Sequence, residues 1–237
     1  MDPIGLETLL LGAAWYVVLL FSLTVHEAAH AWVALRGGDS TAYRGGQVSL
    51  DPVPHVRREP FGMVVVPILV FAMSGGGWMF GWASTPYDPT WARAHPRRAG
   101  LMSLAGPAAN LVVCMLAFAA LRVGMASGLF FPEYGGLFQL VGAAEEGIWG
   151  EVGMLLSILF SLNLLLFVFN LFPVPPFDGS GALSLLIPDE YTAVKVQDFL
   201  AQPGLSFIGL MAAWYLFPSV FAPVRDFALE LLYRGAG

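Results

Sequence analysis

LLLGAAWYVVLLFSLTVHEAAHAWVAL, running from Leu9 to Leu35, is the stretch that decides how this chain folds. A run this long and this apolar reads as a membrane-spanning helix, which needs roughly 17–25 such residues. Inside it lies His26-Glu27-Ala28-Ala29-His30. A charged residue near mid-bilayer costs at least ~2.5–3.5 kcal/mol, so ionisable groups there mark function. The H-E-x-x-H spacing puts both imidazoles on one helix face, where both can ligate zinc, and the glutamate between them is the usual general base for a metal-bound water. The expectation is a zinc site within a membrane.

Composition agrees. Apolar residues make up 57% of the 237 and charged residues 12%, with a mean hydropathy of +0.69, well away from an ordinary soluble domain. The net charge of −6 is scattered and no basic patch appears, which argues against a nucleic-acid partner. The single cysteine, Cys114, lies in an apolar run and reads as packing. Four stretches are long enough to span: 9–35, 100–121, 152–172 and 205–222. A fifth, 63–82, is broken by Pro67 and by Gly75-Gly76-Gly77. The chain reads as one membrane domain over 1–237, all-α and polytopic, with no appended module.

Loop charge sets the orientation. Arg36, Arg44, Arg57 and Arg58 follow the first span, and Arg93, Arg97 and Arg98 follow the broken segment. Positive-inside counting places both loops in the cytoplasm and the N-terminus outside. The connection from Met125 to Glu151 carries Glu133, Glu145, Glu146 and Glu151 without Lys or Arg, which suits the outer side. If both basic loops share a side, 63–82 cannot cross. It is expected to be re-entrant, turned by its glycines, with its backbone satisfied by protein or a wet cavity.

Asn170-Leu-Phe-Pro173-Val-Pro175-Pro176-Phe-Asp178-Gly179 closes the third clear span. Its prolines must end the helix, Gly179 permits a tight turn, and Asp178 is expected to project from irregular backbone. A carboxylate is a normal third zinc ligand beside two histidines, leaving a fourth position for water. His26 follows roughly 25 Å of helix at 1.5 Å per residue, near the cytoplasmic end. Asp178 reaches that end after two crossings, 100–121 and 152–172, provided 63–82 does not cross.

HEAAH, then Gly106-Pro107-Ala108-Ala109-Asn110, then NLFPVPPFDG resemble the site-2 protease family of intramembrane zinc metalloproteases, from about Leu9 to Leu183. The resemblance implies a three-helix membrane core in a short bacterial-type member without room for a PDZ domain. It also implies peptide-bond hydrolysis in or near the bilayer, with one zinc per chain on His26, His30 and Asp178 and Glu27 activating the zinc-bound water. Asn170 and Asn110 match family asparagines, so substrate binding or oxyanion stabilisation is expected of them. The partners implied are a transmembrane protein substrate and the lipid bilayer, in a multi-pass protein of the bacterial cell membrane with its active site toward the cytoplasm.

Other polar residues have blander readings. Asn110 serves equally well as a helix–helix hydrogen bond, worth ~0.6 kcal/mol on average, and Asn163 reads as such glue. His55 reads as structural or interfacial, His95 as solvated, and the tryptophans, Trp78, Trp82 and Trp91 among them, as interfacial anchors. Thr41 to Leu50, with Gly45-Gly46 between alternating residues, suggests a small β-hairpin whose edge could hold an unwound substrate. Gly75 to Gly77 could act as a gate. The alternatives are a membrane metal-binding protein or transporter and a non-proteolytic scaffold. A transporter should line several helices with polar residues, whereas 100–121 offers only Ser103 and Asn110, and a scaffold has no need of Glu27.

Overall fold

A computed structural model describes residues 5–133, 135–136, 138–144 and 147–235. Glu145 and Glu146, used above in the loop-charge argument, lie outside the described residues. In chain order the elements are α1 (Leu6–Gly37), α2 (Thr41–Arg44), α3 (Pro52–Arg58), α4 (Val66–Met73), α5 (Pro89–Ala94) and α6 (Pro96–Ala126). They are followed by β1 (Phe130–Pro132), β2 (Val141–Ala143), α7 (Ile148–Asn170), α8 (Asp178–Ala182), α9 (Glu190–Leu200) and α10 (Leu205–Tyr233). The helices α1, α6, α7 and α10 are long and apolar enough to cross a membrane. This is an all-α polytopic fold with one small hairpin.

Three of these helices form the core. Val18, Leu19 and Leu23 of α1 pack on Ile158, Leu162 and Leu166 of α7. Cys114, Ala117 and Leu121 of α6 pack on Phe160, Leu164 and Val168 of the opposite face of α7. Ala34 of α1 meets Met102 of α6. The fourth helix, α10, leans on this core through Phe217 and Phe221 and leaves Trp214 and Tyr215 exposed. Such a surface suits lipid, which is as apolar as the side chains it meets.

The broken segment doubles back. A π-helical turn, Phe61–Val65, leads into α4, and the apolar helix Phe61–Met73 rises only about 20 Å, short of a ~30 Å hydrocarbon core. Gly75 and Gly76 adopt left-handed φ of 66° and 89°, and the chain returns until Trp82 N donates to Gly62 O at 3.1 Å. Pairing this close needs glycine on both limbs: a Cβ at Gly81 would lie 2.6 Å from Gly62 O, and one at Gly62 would strike Trp82 O. The out-and-back path is the one expected of a re-entrant segment.

Both basic loops lie at the same end of the bundle. Trp91 Nε1 and Arg98 Nη1 donate to Gly37 O at 3.0 and 3.1 Å, tying the end of α1 to the start of α6. Trp91 is therefore buried against Ala34 and Met102, not anchored at an interface as expected. The β-hairpin also sits elsewhere than expected. Among the described residues no strand forms over 41–50. Asp39 accepts from Thr41 N at 2.8 Å and Thr41 Oγ1 at 2.6 Å, which starts the helical turn α2. Gly46, at φ 75°, then lets Gln47 N close onto Ala42 O at 3.0 Å. The glycine pair thus ends a helical turn instead of forming a hairpin. The two strands pair antiparallel at the opposite end of the bundle, Phe130 opposite Ala143.

Candidate metal centre

One face of α1 presents His26 and His30 a single turn apart, their Nε2 atoms 2.9 Å from each other. Asp178 Oδ2 lies 3.0 Å from His26 Nε2 and 3.3 Å from His30 Nε2. The aspartate opens the short helix α8, a correction to the irregular backbone expected there. Its seat is built by α6: Ser184 Oγ donates to Pro96 O at 2.9 Å, and Gly181 lies so close to Ser103 that a Cβ would collide with its hydroxyl. Gly179 is required by contact, not by a tight turn, because a Cβ there would strike the Leu171 and Phe172 carbonyls. Phe172 and Phe177 pack with Ala213 of α10 on the far side.

The hydrogen bonds behind the rings decide what the front can do. His30 Nδ1 lies 2.6 Å from the Met102 carbonyl, which can only accept, so that nitrogen carries the proton. His26 Nδ1 lies 2.5 Å from Asn110 Oδ1 and donates to it likewise. In its neutral form each ring then turns an unprotonated Nε2 forward. Two nitrogen lone pairs and a carboxylate oxygen converge, an arrangement that a cation reconciles. Zinc bonds of ~2.0–2.1 Å in tetrahedral geometry separate ligand atoms by about 3.3–3.4 Å. The observed 2.9–3.3 Å needs an opening of only a few tenths of an ångström, so the residues fit zinc. Ligating histidines typically have their second nitrogen held in this way.

Glu27 is buried beside this group, within 4.8 Å of the histidine ligand atoms. The Thr85 hydroxyl stands 2.7 Å from Glu27 Oε2 and 2.9 Å from the Glu27 carbonyl; its one proton serves either acceptor. Thr85 arrives on the returning limb of the doubled-back segment. Nothing in its sequence context singles it out.

Gly106 faces the two imidazoles, and a Cβ there would strike both Nε2 atoms. Asn110 sits behind His26 with its amide nitrogen turned into the helix bundle, toward Asn163 Oδ1 at 2.8 Å. That place sets the Asn110 amide between the His26 ring and Asn163. Asn170 Nδ2 donates to Leu166 O of its own helix at 3.0 Å, outside the ligand cluster. His55 is buried against Ser49 O, and His95 is exposed. The Asp178 side chain is 23% exposed against 7% and 6% for the histidines, so the site opens on the Asp178 side.

Comparison with known proteins follows the same lines. The family model "Peptidase family M50" matches residues 14–211. The chain is 34% identical over 183 residues to "Putative zinc metalloprotease YwhC" of Bacillus subtilis, spanning 76% of this chain and 72% of that protein. It is 32% identical over 164 residues to "Putative zinc metalloprotease Rip2" of Mycolicibacterium smegmatis, and 34% over 171 residues to Rip2 of Mycobacterium tuberculosis. Those matches span 69% and 72% of this chain but only 53% and 54% of the Rip2 proteins. No solved structure gives a significant match.

Proposed function

The chain belongs to peptidase family M50, the site-2 proteases, a multi-pass membrane zinc metalloprotease, and from that premise we propose that it cleaves transmembrane segments of membrane-protein substrates. His26, His30 and Asp178 hold one zinc per chain. The observation that carries this reading is the convergence of two Nε2 atoms and a carboxylate oxygen within 3.3 Å. When bound, zinc polarises a carbonyl and lowers the pKa of a coordinated water.

Glu27 accepts the proton of the attacking water and passes it to the leaving amine. Thr85 holds that carboxylate in one orientation, and the surrounding apolar helices keep bulk water out except on the Asp178 side. Asn170 binds the substrate backbone through the amide oxygen and second N–H that its bond to Leu166 O leaves available. The whole of 1–237 acts as one domain in a bacterial cell membrane. Its N-terminus is outside, and Arg57 and Arg97 are on the cytoplasmic side with the open side of the site. A helical substrate must be unwound before hydrolysis, so cleavage favours spans with Gly, Pro, Ser or Asn near the scissile bond, in their cytoplasmic half.

The test compares native protein with Glu27→Gln, co-expressed with candidate single-span membrane proteins. The variant keeps zinc and size but cannot take a proton, and cleavage should vanish. Activity within about tenfold of native, a barrier change of only ~1.4 kcal/mol, would exclude Glu27 as the base.

A further inference from the structure

Behind His26 a chain of buried amides runs across all three core helices. Asn163 of α7 donates from Nδ2 to the Leu159 carbonyl at 2.8 Å and to Ser22 Oγ of α1 at 2.9 Å. Its Oδ1 accepts from Asn110 Nδ2 of α6 at 2.8 Å. Asn110 Nδ2 also points at the Ser22 carbonyl, 3.4 Å away, and its Oδ1 faces His26 Nδ1 at 2.5 Å. Ser22, Asn110 and Asn163 are fully buried, so no water competes for these bonds.

The chain has a direction. A backbone carbonyl can only accept, so Leu159 O requires the NH2 end of Asn163. That leaves Asn163 Oδ1 facing Asn110, which requires the NH2 end of Asn110 in turn and leaves its oxygen toward His26. An oxygen there requires the proton on Nδ1 and the lone pair on Nε2. Turning Asn110 over would set its NH2 against the His26 ring proton and its oxygen against the oxygen of Asn163.

We infer that Asn163 is a positioning residue for the metal centre: by fixing which end of the Asn110 amide faces His26, it selects the imidazole tautomer able to bind zinc. This inference rests on the zinc reading above. It assigns a metal-directed role to a residue that never touches the ligand cluster and that reads in sequence as helix–helix glue.

The test measures zinc affinity of the detergent-purified full chain by competition with a chromophoric chelator. Asn163→Leu, of similar size, removes both ends of the amide and should weaken zinc about 10–100-fold, the usual cost of losing such outer support. A carboxylate accepts from Nδ1 whichever way it turns, so Asn110→Asp combined with Asn163→Leu should recover affinity to within about fivefold of native. A purely packing role for Asn163 predicts no such rescue. Native-like zinc binding in Asn163→Leu, or a double variant no tighter than the single one, overturns the inference. Should the variants not fold, 15N spectra of the native chain stripped of metal decide the matter, since it has only four histidines. His26 must then show its proton on Nδ1, and the opposite tautomer overturns the assignment. A native protein that binds no zinc would instead sink the metal reading itself.

Discussion

Placing a methyl group at Gly106 tests the metal centre more sharply than removing a ligand does. In Gly106→Ala the added carbon would overlap Nε2 of both histidines and stand 2.6 Å from His26 Cε1, against an ordinary contact of 3.4 Å or more. The His26 ring must therefore retreat by about 1 Å. It has nowhere to go, because Asn110 Oδ1 already stands 2.5 Å behind it and the Met102 carbonyl 2.6 Å behind His30. Ligand distances tolerate only ~0.2 Å, and a ~1 Å misplacement of a reacting group costs about 100-fold. Zinc affinity should fall by at least about 100-fold, which is ~2.8 kcal/mol at 1.4 per decade. Helix propensity moves the other way, since replacing glycine by alanine in a helix interior favours it by ~0.5–1 kcal/mol. The variant should therefore lose zinc and activity without losing helix content. Gly150→Ala, where an added carbon meets nothing within 4 Å, is the matched control and should bind zinc normally. Chelator competition together with circular dichroism reads both. Zinc binding within about threefold of native in Gly106→Ala would refute the convergence of Nε2 atoms on that glycine.

Elemental analysis of Asp178→Ala should find zinc lost or sharply depleted, since one of three protein ligands is gone; full retention would remove Asp178 from the site. Thr85→Val should lower kcat about tenfold through loss of one hydrogen bond to Glu27 while zinc content stays native, and Thr85→Ser should restore the rate. An equal loss in both variants would mean that the hydroxyl is not what matters. For Asp39, burial pushes the carboxyl up, but hydrogen bonds from Thr41 and Asp88 N outweigh it and leave it below the usual carboxylate range. Its contribution to stability is therefore present at neutral pH and lost as pH falls below about 4 and through the folded-state value. Asp39→Ala should destabilise the detergent-solubilised protein by about 1–2 kcal/mol at pH 7. The gap should close as the pH is lowered past the carboxylate range, and a gap that widens in acid would contradict the assignment.

Local sequence alone determined the spans and the donor types. Apolar length dictates a helix wherever backbone groups cannot reach water, and His26 and His30 share a face because four residues make just over one turn. Loop charge and the order of the candidate ligands lead to a doubled-back course for 63–82, and the chain turns back there, with Trp82 N meeting Gly62 O. Other features depended on contacts far along the chain. Gly45-Gly46 fits a hairpin turn or a helix end equally well, and the Asp39 side chain selects the second. Trp91 looked like an interfacial anchor until the Gly37 carbonyl claimed its indole N–H.

The roles of Asn110, Asn163 and Thr85 were least legible of all. An amide or hydroxyl has both donor and acceptor ends, and sequence cannot say which end meets which partner. Only the packing of α1, α6 and α7 brings His26 within 2.5 Å of an amide oxygen, and only the return of the chain through Thr85 puts a donor on Glu27. The kinds of atom at the candidate metal centre follow from the order of residues, whereas their aim follows from neighbours 58 to 152 positions away, which only the tertiary fold brings together.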